Sequence, residues 1–156
     1  MRSLLVILLS SACLLAHCYI HVAQASEDEA IIEVIVHRSS PATHLSSAEV
    51  EALFTRTQTR WSDGSPVVPL SFPTGTTIRE QFDRAVLRLD ADQVGRFWLD
   101  RRIRGLGAPP KQVLNAALMI KVVANLPGSI GYVPASRNRV GVKVVARIAR
   151  GRVITP

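Results

Sequence analysis

The sequence feature that most constrains the fold is residues 30–37 (AIIEVIVH), an almost unbroken run of aliphatic and β-branched side chains. Consecutive β-branched residues favour an extended strand and leave no polar face for solvent. Such a strand belongs in a sheet that is covered on both sides. The run therefore predicts a central buried strand, which Ser39, Ser40 and Pro41 bring to an end.

Helical and extended patterns alternate along the rest of the chain. Three helices are predicted from their first residues: a capping box of Ser46 and Glu49, a capping box of Thr77 and Glu80, and Asp90 as an N-cap. A fourth helix is predicted over residues 112–125, and further strands over residues 67–72, 130–133 and 140–148. This alternation predicts a single α/β domain with a small mixed sheet.

The first 25 residues have the organisation of a cleavable secretory signal. Arg2 precedes an apolar run over residues 4–16, and residues 23–25 (AQA) give the small-x-small pattern at a cleavage site. The alternative is a retained membrane anchor, but His17 and His21 interrupt a run that is already short for a bilayer span of about 20 residues. We expect cleavage after Ala25, a periplasmic location and no stable membrane anchor.

Removal of this leader would also remove both cysteines of the chain. Cys13 and Cys18 both lie within it, and neither has the neighbours that a lipoprotein cysteine needs, so the mature chain is expected to have no disulfide. We expect the domain to span residues 26–148, followed by a flexible tail at residues 149–156.

The charge of the mature chain favours anionic partners. Removing Arg2 with the leader lowers the formal charge of the chain from +7 to +6. Nucleic acid is the weakest candidate because the protein is expected to be exported and lacks basic segments interleaved with aromatic residues. A solvated arginine-rich surface explains the charge equally well.

Residues 73–79 (PTGTTIR) form the most suggestive candidate site. A strand ends, Gly75 permits a tight turn, and a helix begins with Thr74, Thr76, Thr77 and Arg79 around its first turn. Free N–H groups at a helix start bind anions, and hydroxyl and guanidinium groups add hydrogen bonds. These five residues are the predicted ligand-binding set. The alternative is an ordinary threonine-capped helix.

Other polar clusters point less clearly to function. The basic run Arg101–Arg104 fits recognition of an acidic partner, but it also fits a solvated helix end stabilised by the helix dipole. His37 and His44 have no carboxylate at metal-ligand spacing, so we expect no metal and no cofactor. No catalytic motif is present, and we expect no enzymatic activity.

Four segments, taken in order, resemble the phosphate-type periplasmic substrate-binding proteins of ABC transporters. The segments are residues 34–41 (VIVHRSSP), 45–54 (LSSAEVEALF), 59–69 (TRWSDGSPVVP) and 126–133 (LPGSIGYV). The last is similar to the family signature x-P-G-[AS]-I-G-Y-V. The resemblance implies a single three-layer lobe of a type II periplasmic-binding-protein-like fold.

The same resemblance implies a ligand and partners. The family's ligand loop, G-S-G-T, corresponds to residues 73–76, and the Arg and Asp that full phosphate binders place upstream correspond to Leu70 and Phe72. It implies a small oxyanion such as phosphate as ligand and an ABC transporter permease as partner. Because such receptors close two lobes around the ligand, a second lobe or copy is implied as well. The alternative is an interaction module that keeps the fold and binds a protein or anionic polymer.

Overall fold

The computed structural model describes residues 31–135 and 139–154 and contains a six-stranded mixed sheet. The strands are β1 (Ile32–His37), β2 (Val68–Ser71), β3 (Lys111–Gln112), β4 (Ser129–Pro134), β5 (Val142–Ala149) and β6 (Arg152–Ile154). Their order in the sheet is β3-β2-β4-β1-β5-β6. β2 pairs in parallel with β3 and β4, whereas β1, β4, β5 and β6 pair antiparallel.

The helices cover both faces of this sheet. They are α1 (Ser47–Phe54), α2 (Thr77–Phe82), α3 (Ala91–Ile103) and α4 (Ala116–Asn125), and α2 continues into a π-helical turn (Asp83–Leu87). The α/β class and the three layers predicted from sequence are confirmed.

β1 is the buried centre that its composition predicts. It pairs with β4 on one side and β5 on the other, and its residues from Ile32 to Val36 are almost fully buried. On one face of the sheet, Tyr132 of β4 stacks on Phe82, with ring centroids 3.8 Å apart. On the opposite face, Gly131 lies against Met119 of α4.

Two of the three predicted helix starts are confirmed and one is wrong. Ser46 and Glu49 form the predicted capping box, and Asp90 caps α3 with the help of Gln93. At α2 the N-cap is Thr76 rather than Thr77, and its hydroxyl donates to the Pro73 carbonyl at 2.8 Å instead of accepting from the helix. The turn at Gly75 (φ +84°) places Thr76 over Pro73, so the capping box of Thr77 and Glu80 does not form.

Two further segments differ from the prediction. α4 starts at Ala116 with Asn115 as its N-cap, because residues 111–112 are taken up by pairing with β2 as the short strand β3. Within the tail predicted to be flexible, residues 149–154 instead end β5 at Ala149 and form β6, which pairs with residues 147–149. The predicted signal at residues 1–25 lies outside the described residues. Within residues 31–135 and 139–154, no helix is long and apolar enough to cross a bilayer.

Gly128 marks a close backbone approach, where a Cβ would have the shortest contact of any described glycine position. It has φ +80°, and its carbonyl accepts from the Trp61 indole and from the Val68 amide, both at 3.0 Å. A Cβ at this position would lie 2.3 Å from the carbonyl oxygen of Pro66. Only glycine therefore fits between the 61–66 turn and β4.

We expect Gly128→Ala to destabilise the fold more than Gly64→Ala. Gly64 has a similar φ of +82°, but a Cβ there meets nothing within 4 Å. Both variants carry the left-handed backbone penalty of about 1–2 kcal/mol. Gly128→Ala adds a backbone displacement, for which we expect a further ~1–3 kcal/mol in urea unfolding. Equal losses in the two variants would show that the close approach is unimportant.

Candidate functional site

A cleft of about 340 Å³ opens at the carboxyl end of β2. Its walls are the turn that follows β2, one side of α3, and the segment that enters β3. The polar side chains that line it are Thr74, Arg79, Arg102 and Gln112, and the apolar ones include Val94, Trp98, Leu99, Pro109 and Pro110. The cleft therefore combines hydrogen-bond donors with an apolar wall, and no carboxylate lines it among the described residues.

Arg79 forms the floor of this cleft, and hydrogen bonds to buried groups on the protein side fix its side chain. Its side chain is buried, and its Nε donates to Asp83 Oδ2 at 2.6 Å, one helical turn further along the chain. Nη1 donates to the Ser71 hydroxyl and to the Phe72 carbonyl at 3.3 Å. The guanidinium group thus points back towards the end of β2, and its charge is balanced by Asp83.

Burial dominates the electrostatics beneath the cleft. It raises the pKa of Asp83 above its ordinary value, although the neighbouring Arg79 acts in the opposite direction. Burial also raises the pKa of Tyr132 to about 12, and its hydroxyl lies 2.8 Å from the Ser71 hydroxyl. Tyr132 is therefore a neutral hydrogen-bonding group at physiological pH. The chain Asp83–Arg79–Ser71–Tyr132 joins the cleft to the aromatic core.

The five residues predicted as a ligand set are brought together only in part. Thr74 and Arg79 both line the cleft. Gly75 and Thr77 are exposed on the turn and at the first position of α2, and the Thr76 hydroxyl donates to Pro73. The structure therefore places one hydroxyl and one guanidinium of the set at the cleft itself.

The three arginines of the run Arg101–Arg104 have different contacts in the structure. Arg101 Nη2 donates to the Leu106 carbonyl at 2.9 Å, and its guanidinium lies 5.6 Å from the centre of the Phe97 ring. Arg104 pairs with Asp100 at 2.8 Å. Arg102 lines the cleft and forms no ion pair among the described residues. Sequence reasoning named Arg102 only within the basic run and not in the ligand set, although it lies one turn after Trp98, which marks the inward face of the helix.

Gln112 and Trp98 are also cleft residues that the sequence did not reveal. Gln112 was expected inside a helix and instead lies on β3, beside the cleft. Trp98 is buried on the inward side of α3, and its indole Nε1 has no hydrogen-bond partner among the described residues. Residues 31–135 and 139–154 contain no group of three side chains suited to a metal ion.

We expect Asp83→Asn to destabilise the protein far more than Asp100→Asn. Both residues pair with an arginine four positions away, but the side chains of the first pair are 9% and 7% exposed and those of the second are 66% and 55% exposed. Removing Asp83 leaves a buried charge without a counter-ion, for which we expect a loss of about 3 kcal/mol in urea unfolding. The exposed pair should contribute less than about 1 kcal/mol.

A double variant, Arg79→Met with Asp83→Leu, distinguishes the effect of the two charges on stability from the effect of the volume that the two side chains fill. We expect it to recover most of the stability lost in Asp83→Asn, because no buried charge remains. If Asp83→Asn proved no more destabilising than Asp100→Asn, the pair would not be the anchor described above.

The fold is similar to those of solved phosphate-transport receptors. A putative phosphate ABC transporter substrate-binding protein from Clostridium perfringens, solved with bound phosphate, matches 74% of this chain with 19% identity and a TM-score of 0.57. An ABC-type phosphate transport receptor from Vibrio cholerae matches 74% with 14% identity and a TM-score of 0.59. PstS from Borrelia burgdorferi matches 74% with 12% identity and a TM-score of 0.60.

The chain spans just under half of each solved structure, from 45% to 47% of its length. The sequence matches no protein-family model and no curated protein. At this level of identity the likeness concerns the fold. The resemblance noted in the sequence is confirmed at that level: the chain has the α/β fold of one part of the phosphate-type substrate-binding proteins of ABC transporters.

Proposed function

We propose that this protein binds a small oxyanion such as phosphate in the cleft at the end of β2. One observation supports this proposal above the others: Thr74, Arg79 and Arg102 face a common cleft whose described lining contains no carboxylate. Hydroxyl and guanidinium groups are strong partners for oxyanions, and the absence of a carboxylate from the lining avoids repulsion. Gly75 and Thr77 add backbone N–H groups at the start of α2 to the proposed site. Thr76 holds that turn in place, since its N–H and its hydroxyl both donate to the Pro73 carbonyl, at 3.4 and 2.8 Å.

The two arginines have different parts in this proposal. Because Asp83 balances the charge of Arg79, that side chain supplies directed N–H groups more than net charge. Arg102 supplies the uncompensated positive charge, and its exposed side chain is free to move towards a ligand. We therefore expect binding that is weak and sensitive to salt.

The same lining makes a prediction about selectivity. Phosphate carries protons at neutral pH and gains from a hydrogen-bond acceptor, whereas sulfate does not. The upstream Arg and Asp implied by the family resemblance are replaced by Leu70 and Phe72, which are 2% and 4% exposed and belong to the core. Asp83 lies behind Arg79 and is bonded to it. Discrimination between phosphate and sulfate should consequently be slight.

We infer export through residues 1–25, cleavage after Ala25 and a binding role in the periplasm, without enzymatic activity. A permease of an ABC transporter is the natural partner for such a role. A second lobe or a second copy would close the cleft, since one lobe leaves a bound anion open to water.

An interaction module of the cell envelope is the second candidate function. The observation that favours it is the pairing of Arg79 with Asp83, which uses the charge expected to bind the anion. In this alternative the fold is kept, and the positive surface binds a protein or an anionic polymer. The absence of small-anion binding at millimolar concentration would favour this second candidate.

Isothermal titration with phosphate and with sulfate tests the oxyanion site. We expect both anions to bind with affinities within roughly tenfold of each other, which corresponds to ~1.4 kcal/mol. The double variant Thr74→Val with Arg102→Ala should weaken both by roughly tenfold or more. Arg38→Ala is the matched control, because it removes the same charge from an exposed position after β1. β1 runs in the opposite direction to β2, so Arg38 lies at the other end of the strands from the cleft.

Two results would contradict the oxyanion proposal. One is no heat with either anion at millimolar concentration. The other is an equal loss of affinity in the cleft variant and in Arg38→Ala, which would indicate attraction to net charge rather than to a site.

The export proposal has its own measurement. Expressed with its full sequence in a Gram-negative host, the protein should be recovered from the periplasm with Ser26 as its first residue, as read by intact mass. Replacing Ala23 and Ala25 with bulky residues should block processing, because signal peptidase requires small side chains there. A full-length chain held in the membrane fraction would instead favour the anchor.

A further inference from the structure

The cleft at the end of β2 is larger than a bare oxyanion requires. Its volume of about 340 Å³ lies within the range of about 300–1,000 Å³ that is usual for pockets binding small organic molecules. A phosphate or sulfate ion has five non-hydrogen atoms and occupies on the order of 100 Å³, the space of roughly three waters. Most of the cleft therefore stays open when such an ion is bound.

The lining of the cleft is apolar away from its arginines and Thr74. The residues of α3 that line it recur every three or four positions, as one side of a helix does, and the last of them is Arg102. The others on this side are Ala91, Val94, Gly95, Trp98 and Leu99. Pro109 and Pro110, which precede β3, add to the apolar lining. A ligand that fits this cleft has a polar head and an apolar body.

Gly95 is a second feature of the cleft that points to a bound molecule. It lies inside α3, where glycine is destabilising relative to alanine. A Cβ at this position would meet no protein atom within 4 Å, so the packing of the helix does not require glycine here. Because Gly95 lines the cleft, the missing side chain leaves space that a ligand can occupy.

The charge of the cleft fits a head with one negative charge. Arg79 is balanced by Asp83, whereas Arg102 forms no ion pair among the described residues. One uncompensated guanidinium group balances one negative charge on a ligand. A second negative charge beside the apolar lining would have no partner, and placing it there is unfavourable.

We propose that the cleft accepts an organic oxyanion that carries one negative charge and a short apolar group. The oxyanion would contact Thr74, Arg79 and Arg102. The apolar group would lie along α3 between Val94 and Leu99, in the space beside Gly95. This proposal rests on the oxyanion site proposed above and names the class of molecule that the site accepts.

Alkyl sulfonates test the proposal, because each keeps one negative charge at neutral pH and only the apolar group changes along the series. NMR titration of the mature chain compares inorganic sulfate, methanesulfonate and butanesulfonate. We expect butanesulfonate to bind at least roughly tenfold more tightly than methanesulfonate, since each methylene fully removed from water contributes about fourfold. The largest shifts should occur in the backbone amides of residues 91–102 and in the Trp98 indole.

Two leucine substitutions separate the cleft from general effects on the protein. Gly95→Leu should fill the space beside α3 and weaken butanesulfonate roughly tenfold, while methanesulfonate changes little. The variant should keep its fold, because leucine is a better helix former than glycine and a Cβ at this position is unobstructed. Ala117→Leu is the matched control, since it adds the same side chain at an exposed position of α4, and binding should not change.

Three outcomes would overturn the proposal, and they can be told apart. Equal affinities for sulfate, methanesulfonate and butanesulfonate would remove the organic ligand and leave the oxyanion site in place. Tight binding of butanesulfonate that Gly95→Leu does not weaken would place the apolar group outside the cleft. No binding of any of the three anions would overturn the oxyanion site together with the organic ligand.

Discussion

The buried ion pair between Arg79 and Asp83 connects the sheet to the surface of the molecule. Two charges withdrawn from water are tolerated only when hydrogen bonds replace their hydration. Ser71 and the Phe72 carbonyl supply those bonds, and both belong to the end of β2. The pair therefore fixes α2 and its π-helical turn against the strand that precedes them. The position of the cleft follows, because its floor is the guanidinium group held in this way.

Because of this ion pair, the two arginines of the cleft differ in net charge and in freedom to move. Arg79 is rigid, and its charge is balanced, so it gives direction to a site without giving it much attraction. Arg102 is exposed and uncompensated, so it gives attraction without much direction. Burial raises the pKa of Asp83, so proton uptake on this carboxyl in acid would release the guanidinium from its counter-ion. The net positive charge of the cleft is thus larger in acid than at neutral pH.

The elements that sequence reasoning predicted are those specified by local signals. The aliphatic run at β1 requires burial on both faces, and the pair Ser46 and Glu49 encodes its own helix start. β3 is different: two residues carry no periodicity, and their extended state comes from pairing with β2, some forty residues earlier in the chain. Non-local pairing therefore overrides local preference at β3. β6 instead pairs with β5 across a two-residue hairpin at Arg150 and Gly151, both with positive φ, which is a local turn signal that the sequence reasoning did not use.

The candidate site shows the same limit at the level of side chains. The turn at Gly75 was visible in the sequence, whereas the direction of Arg79 depends on Asp83 and Ser71, which only the fold brings together. Arg102 reaches the cleft because Trp98, one turn earlier, orients α3 against the core. A substitution that rotated α3 would therefore move Arg102 relative to the cleft and leave the ion pair between Arg79 and Asp83 in place.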